Sequence, residues 1–213
     1  MKLPYIVPIA ILAGTCALHA QERKKIDLSA PAPLSMSKSL PANGTLVMEV
    51  NIGDVHVVRS ESAKTIRLEI DSQGFYDDET AKSWVRRFDV SGDRASIELK
   101  FPKHNDHHSG PTAVVYLPAQ TDLKLDLGIG DLNIKDIEGN KDLHVGIGDL
   151  TVSVNDGSQY NSIHTGTKIG DANDNVFREH SSGFFPKTNH TSTQGKFKLV
   201  ATVGIGDVNV SQD

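Results

Sequence analysis

The feature that most constrains the fold is the triplet Ile-Gly-Asp, at which the apolar alternation of the chain slips by one residue. Before the second copy, Leu125, Leu127 and Ile129 share one parity; after it, Leu132 and Ile134 share the other. A strand alternates its side chains between two faces, so a slip in a straight strand would turn the apolar face to solvent. The triplet therefore predicts a corner between two strands that face one core, with the isoleucine on the inner row. It occurs five times, at 52–54, 129–131, 147–149, 169–171 and 205–207.

The glycine and aspartate of each triplet are the candidate structural residues. Glycine suits a bend that needs a positive φ or a close backbone approach. The residue before the isoleucine is glycine in three copies but Asn51 and Lys168 in the others, which predicts an outward position without a strict backbone demand. The predicted corner residues are Gly53, Asp54, Gly130, Asp131, Gly148, Asp149, Gly170, Asp171, Gly206 and Asp207.

The aspartates have two interpretations. Each carboxylate can accept hydrogen bonds from backbone N–H groups of its own corner. If the corners stack in register, the carboxylates instead lie roughly 4.8 Å apart, and calcium, which prefers oxygen ligands, could bridge them. The triplet does not match the calcium-binding Gly-Gly-x-Gly-x-Asp repeat, so no cofactor is predicted and calcium stays an alternative.

The spacing of the corners, 77, 18, 22 and 36 residues, favours a stacked array. Eighteen to twenty-two residues suit one coil of a β-solenoid; 36 is two such coils and 77 is close to four. The alternative is an antiparallel meander or sandwich. The stretch "YDDETAKSWVRRF" (76–88) is expected to form one short helix, because acids open it and basic residues close it.

Three segments are expected along the chain. Residues 1–20 contain a lysine near the start, then an apolar stretch, and end with a small residue before the expected cleavage site. This is the pattern of a cleaved secretory signal. The alternative is lipidation at Cys16. Residues 21–43 are rich in proline and small polar residues and predict a flexible tether, which leaves 44–213 as the β domain. The chain is then exported to the periplasm, the outer surface or the medium.

Composition removes several classes of function. No long basic run is present, which argues against nucleic acid as a partner. No second segment is long and apolar enough to cross a membrane. After cleavage the chain has no cysteine, so it has neither disulfides nor a thiolate nucleophile.

Two loops are candidates for recognition or metal binding. "HNDHHSG" (104–110) offers possible metal ligands, although an exposed polar loop explains it equally; they are His104, Asp106, His107 and His108. The polar excursion 173–195 carries Phe177, Phe184 and Phe185. These rings could form a recognition loop, because insertions in repeat arrays tend to lie on a binding face, or they could fold back and cap the core.

The C-terminal end is a candidate for self-association. Val210 is the last apolar residue, and the final coil of a solenoid exposes unpaired backbone groups unless something covers them. Contact with a second copy or another protein is expected at this edge.

The segment "TAVVYLPAQTDLKLDLGIGDLNIKDIEGNKDLHVGIGDLTVSV" (112–154) resembles the bacterial DUF4097 family of β-strand-repeat proteins. The features that match are Pro118 after an apolar strand, "GIGDLNI", "GIGDLTV" and the link "IEGNKDL". The resemblance implies a right-handed parallel β-helix and, more loosely, an adhesin-like role. The family pattern brings no catalytic residues.

The predicted function is a non-enzymatic, adhesin-like binding protein of the surface or envelope, with a glycan or a protein as its partner. One alternative is an envelope scaffold or stress-system accessory that works through protein contact. The other is a small carbohydrate-active enzyme with carboxylates converging on one outer face. The chain has the carboxylates and basic residues that such an enzyme needs, but their spacing does not single out a general acid–base pair. These residues are Asp71, Asp77, Asp78, Glu79, Arg86 and Arg87.

Overall fold

The computed structural model describes residues 34–71, 77–103 and 111–212. This part of the chain is almost entirely β, with sixteen strands, one α-helix and one 3-10 turn (Gly157–Gln159). The helix α1 spans Asp78–Ser83. The strands are β1 (Leu34–Ser39), β2 (Gly44–Ile52), β3 (Asp54–Arg59), β4 (Thr65–Asp71), β5 (Val85–Ser91), β6 (Arg94–Leu99), β7 (Thr112–Leu117), β8 (Thr121–Ile129), β9 (Leu132–Lys135), β10 (Lys141–Ile147), β11 (Leu150–Val154), β12 (Tyr160–Asp174), β13 (Glu179–Phe184), β14 (Lys187–Thr191), β15 (Phe197–Ile205) and β16 (Val208–Gln212).

The Ile-Gly-Asp triplets align two rows of parallel strands. The strands before the corners pair in the order β2, β8, β10, β15 and β12. Those after the corners pair as β3, β9, β11, β16 and the end of β12, which therefore belongs to both rows. One apolar core contains the inward side chains of both rows, such as Leu125 and Leu127 before a corner and Leu132 after it.

The order of these coils in space is not their order in the chain. β12 leaves one strand position open beside β10 and β11, and the C-terminal strands fill it. β15 pairs with β10 on one side and β12 on the other, and β16 likewise lies between β11 and β12. The prediction of an unpaired C-terminal edge was therefore wrong, and the observation on which self-association there was predicted is removed.

Antiparallel strands form both ends of the stack. At one end, β6 and β7 extend the two parallel rows. β5 then pairs antiparallel with β6. On the other row β4 pairs antiparallel with β7, and β1 pairs antiparallel with β4. At the other end β13 and β14 pair antiparallel with β12. The sheet is therefore mixed: the predicted right-handed β-solenoid is not confirmed, and the antiparallel ends fit the alternative.

Corners far apart in sequence are direct neighbours. The Asp131 N–H donates to Asp54 Oδ1 at 3.1 Å across 77 residues. The Asp171 N–H donates to Asp207 Oδ1 at 2.8 Å across 36. The prediction that whole coils fill the intervals of 77 and 36 residues was therefore wrong. The chain within these intervals instead forms edge strands, or strands that pair elsewhere in the stack.

Residues 34–39, predicted as part of the tether, form a strand instead, and the helix is shorter than predicted. Residues 34–39 form β1, antiparallel to β4, and Leu40 after it is fully buried. Residues 1–33 lie outside the described part. The helix begins after Asp77, whose side chain caps it, and ends at Ser83. Val85–Ser91 instead pairs with β6, because that pairing buries Phe88 in the core.

The corner glycines are required by two separate constraints. At all five corners the glycine φ lies between 115° and 139°, a region that side chains rarely adopt. A Cβ on Gly148 would also stand 2.0 Å from the carbonyl oxygen of Gly130 in the next coil. The preceding glycines are similarly close: a Cβ on Gly146 would lie 2.4 Å from Gly128 O. The expectation that this preceding position has no strict demand was wrong there.

The preceding position differs at the end of the row, where Asn51 replaces glycine. Its side-chain amide donates to Phe101 O at 2.9 Å, and its Oδ1 accepts from the Phe101 N–H at 2.8 Å. The asparagine thus connects the repeat to a neighbouring segment that has no triplet.

The aspartates and isoleucines of the triplets both differ from expectation. Four of the aspartates accept from the aspartate N–H of the next coil, at 2.8–3.1 Å, rather than from their own corners; they are Asp54, Asp131, Asp149 and Asp207. Of the isoleucines, only Ile52 packs partly against the core. Four of them are 46–49% exposed, in one in-register row: Ile129, Ile147, Ile205 and Ile169.

We expect Gly148→Ala to lower the free energy of unfolding by about 3 kcal/mol or more, from backbone strain together with steric overlap. The control is Gly183→Ala. Gly183 pairs with Gly170 at the open end of the same row and has φ 107°, but a Cβ there meets nothing within 4 Å. Gly183→Ala should therefore lower the free energy of unfolding only by the backbone strain, about 1–2 kcal/mol. Urea denaturation measures both, and equal losses would contradict the role of close coil contact.

Candidate functional site

The three phenylalanines of the excursion separate into two environments. Phe177 packs on the core and stacks on His190, with ring centroids 3.4 Å apart. Phe184 and Phe185 are 81% and 68% exposed. Phe177 therefore folds back on the core, as one of the two interpretations predicted. Phe184 and Phe185 form an exposed aromatic pair at the end of β13.

The exposed pair is held against the sheet by backbone bonds. Phe184 pairs with Ile169 and so continues the exposed isoleucine row. The Phe185 N–H donates to Lys168 O at 2.9 Å, and Pro186 O accepts from the Thr167 N–H at 3.1 Å. Phe185 has a φ of 56°, a costly conformation for a large side chain. The turn therefore fixes Phe185 in one place.

The hairpin that carries this turn is anchored at its base. Asp174 is fully buried, and its Oδ1 accepts from the N–H groups of Val176 and Phe177 at 3.1 and 3.3 Å. Burial raises the pKa of this carboxyl, partly offset by those backbone bonds. The Glu179 Oε2 accepts from the Asn189 N–H at 3.1 Å and so ties β13 to β14.

A groove of about 370 Å³ lies beside Phe185, and we call it the Gly166 groove. His164, Gly166 and Lys168 alternate along β12 with buried residues and so share its outer face. β14 brings Lys187 opposite Gly166, and β15 brings Thr202 to its other side. The lining residues are His144, His164, Gly166, Thr167, Lys168, Phe185, Lys187, Thr202 and Val203.

Gly166 forms the floor of the groove without being required by the backbone. Its φ is not positive. A Cβ would meet Lys187 Cγ at 3.5 Å and Pro186 O at 3.7 Å, which are ordinary contacts. The absence of a side chain at this position leaves open space above the sheet.

The groove is basic, although the whole chain is acidic. Its lining has two lysines, two histidines and no carboxylate, whereas the formal charge of the chain is −5. Thr202 Oγ1 and His144 Nδ1 are hydrogen-bonded at 3.1 Å. On the same outer face, Glu98, Glu49 and Asp126 lie in register across β6, β2 and β8, and Asp126 is in register with His144 of the groove.

The residues considered for catalysis do not converge. Asp77 caps α1 by accepting from the Thr80 N–H at 2.8 Å, and this bond lowers the pKa of its carboxyl. Arg87 Nη2 lies 3.6 Å from Glu98 Oε2 on two exposed strands. Within residues 34–71, 77–103 and 111–212, no three His, Cys, Asp or Glu side chains are placed to hold a metal. The histidine loop 104–108 lies outside these ranges.

Sequence reasoning missed the Gly166 groove. The parity of β12 could have shown that His164, Gly166 and Lys168 share a face. It could not have shown Lys187 or His144, which only the hairpin and the inserted C-terminal coil bring nearby.

One buried cation belongs to the structure rather than to a site. Lys141 is 2% exposed; its Nζ donates to Gly139 O at 3.2 Å and to the Tyr160 hydroxyl, which in turn donates to Glu138 Oε2 at 2.9 Å. Burial lowers the pKa of Lys141 to about 8, against the opposing effect of Glu138 and Asp122.

This network predicts a pH-dependent stability. Between about 8 and the ordinary lysine pKa of 10.5, the unfolded chain retains a proton that the folded chain has lost, so stability rises with pH, by at most about 1.4 kcal/mol per pH unit. Burial raises the pKa of Tyr160, which lowers stability only above about pH 10. We expect the free energy of unfolding to rise from pH 8 to 10, and Lys141→Met to remove that rise. The same slope in both proteins would contradict this assignment.

The aspartate row predicts a distinction between two variants. Asp149→Asn keeps an oxygen that can accept from the Asp207 N–H and should change stability by less than about 0.5 kcal/mol. Asp149→Ala removes the acceptor and should cost about 1 kcal/mol. Thermal melts with and without calcium check this. A calcium-dependent stabilisation of the native chain that the Asn variant lacks would instead identify a cation site.

Comparison with known proteins gives a likeness of fold. The solved structure of a candidate cell adhesion protein from Clostridium sporogenes matches 84% of this chain and 99% of its own, with a TM-score of 0.51 and 12% identity. A candidate adhesin from Bacteroides fragilis matches 83% and 96% with a TM-score of 0.39 and 10% identity. No protein-family model matches the sequence, so the DUF4097 resemblance is not confirmed. No curated protein matches it either.

Among the described residues, no helix has the length and apolar character needed to cross a membrane.

Proposed function

We propose that this chain is an exported, non-enzymatic binding protein of the cell surface or envelope, with residues 1–20 as its leader. In this proposal the repeats, stacked in a solenoid-like manner, form a rigid base, and the turn Phe184–Phe185 recognises the partner. The observation that carries it is the exposure of these two adjacent rings on a turn that backbone bonds hold in place. Rigid aromatic side chains bind at low entropic cost and dominate many interfaces.

The likeness of fold agrees with this proposal. The Clostridium sporogenes protein is a candidate cell adhesion protein with the same architecture. One fold can serve many functions, so the likeness supports only the class of function. The partner has to be inferred from the residues of the candidate site.

Two alternatives each have one favourable observation. The exposed isoleucine row would suit an envelope scaffold that contacts another protein, because such apolar surfaces mark interaction sites. The in-register carboxylates of Glu98, Glu49 and Asp126 would suit a carbohydrate-active enzyme. The exposed ion pair of Glu98 with Arg87 instead favours a solvated charge row.

The test is retention of the exported chain on bacterial envelope fractions. We expect the double variant Phe184→Ser/Phe185→Ser to lose at least tenfold in affinity, about 1.4 kcal/mol. The control is Ile147→Ser, a similar loss of an exposed apolar side chain farther along the same row. It should bind as the native chain does.

The outcome also separates the alternatives. Loss with Ile147→Ser alone would contradict the proposal and favour the scaffold. Retention that disappears after protease treatment of the envelope would identify a protein partner rather than a glycan. Cleavage of envelope polysaccharide that Glu49→Gln abolishes would favour the enzyme.

A further inference from the structure

The Gly166 groove points to a more specific ligand than the proposed function names. We propose that it binds a carboxylated polysaccharide, that is, a chain of sugars that carry uronic acid groups. This inference rests on the proposed binding function and identifies its ligand class.

The charge of the groove selects an anion. Lys187 lies opposite Gly166 on β14, and Lys168 lies two residues from Gly166 on the same face of β12. Two residues along a strand span roughly 7 Å, so the lysines originate at neighbouring points along the groove. The lining itself has no carboxylate that would repel an acidic ligand; Asp126 lies outside it, beside His144 on the neighbouring strand β8.

The kind of cation favours carboxylates spread along a chain over a single phosphate group. Phosphate sites usually combine an arginine fork or several converging backbone N–H groups. The lining of the groove has no arginine, and the N–H groups of Thr167 and Phe185 are already bonded to Pro186 O and Lys168 O. Separate ammonium groups match separate carboxylates.

The remaining lining matches a sugar ring. Phe185 is 68% exposed and offers a flat apolar surface, which complements the C–H face of a pyranose. His164, Thr202 and His144 supply polar groups for hydroxyls. Because the groove is open to solvent along the sheet rather than closed, a polymer can pass across it without ending there.

Gly166 is the residue that opens this space. A glycine within a strand weakens it, and neither its φ nor a close contact demands one here. A side chain at this position would occupy the groove between Lys187 and Thr202. The glycine is therefore not required by the backbone, and its effect is to keep the groove open.

The test uses galacturonate oligomers and their methyl esters, which have the same rings without the charge. Titration calorimetry of the exported chain at low salt should show binding of the acid and at least tenfold weaker binding of the ester. Two variants, Gly166→Val and Lys168→Ala/Lys187→Ala, should each weaken binding of the acid at least tenfold. Added salt should weaken it as well.

The matched control is Lys124→Ala. Lys124 lies on the same outer face, on β8, in register with Asp142 of β10, and three strands from β12. It removes one positive charge outside the groove and should leave affinity within twofold. Thermal melts of every variant confirm folding, and Gly166→Ala should melt no lower than the native chain.

Several outcomes would overturn the inference. They are equal binding of acid and ester, binding that Gly166→Val and the lysine variant leave unchanged, and preference for phosphatidylglycerol vesicles over the oligomers. If the oligomers do not bind but envelope retention still depends on Phe184 and Phe185, the ligand class is wrong and the proposed function stands. If that retention is also absent, both are wrong.

Discussion

The fold depends on the close approach of each corner to the carbonyl oxygen of the next. A Cβ on Gly148 would stand 2.0 Å from Gly130 O, so a corner can approach the next one this closely only when it has no side chain at the glycine position. The aspartate after the glycine fixes the register at four of the five corners, because its carboxylate accepts from the N–H of the next aspartate. Since these contacts involve only backbone and one short side chain, any two corners can be neighbours. The same bond joins corners 18, 36, 58 and 77 residues apart.

That interchangeability explains what the sequence could and could not predict. The slip at Ile-Gly-Asp predicted strands, corners and a shared core, because it depends only on local alternation. The order of the coils was not predictable, since five equivalent corners carry no information about which pair meets. The antiparallel ends have no triplet. The isoleucines were expected inside from parity, but at a bend the same parity need not face the core, and Ile147 is 47% exposed.

The candidate site shows the same limit. The polar excursion with its phenylalanines was recognisable, although Phe177 and Phe185 have opposite environments. The sequence does not show the space around either glycine: a Cβ has room at Gly166 and none at Gly148. The space around each glycine thus distinguishes a residue that the fold requires from one that keeps a surface open, and only coordinates give that space.

The insertion of the C-terminal coil links the fold to the groove. Thr202 and Val203 lie on β15, His144 on β10, and His164 with Lys168 on β12. β10 and β12 are not neighbours; β15 lies between them and pairs with both. Without β15, the two histidines would line separate, unpaired strand edges. The pairing of this coil with both neighbours therefore forms the groove, although its corner glycine, Gly206, does not contribute to the lining.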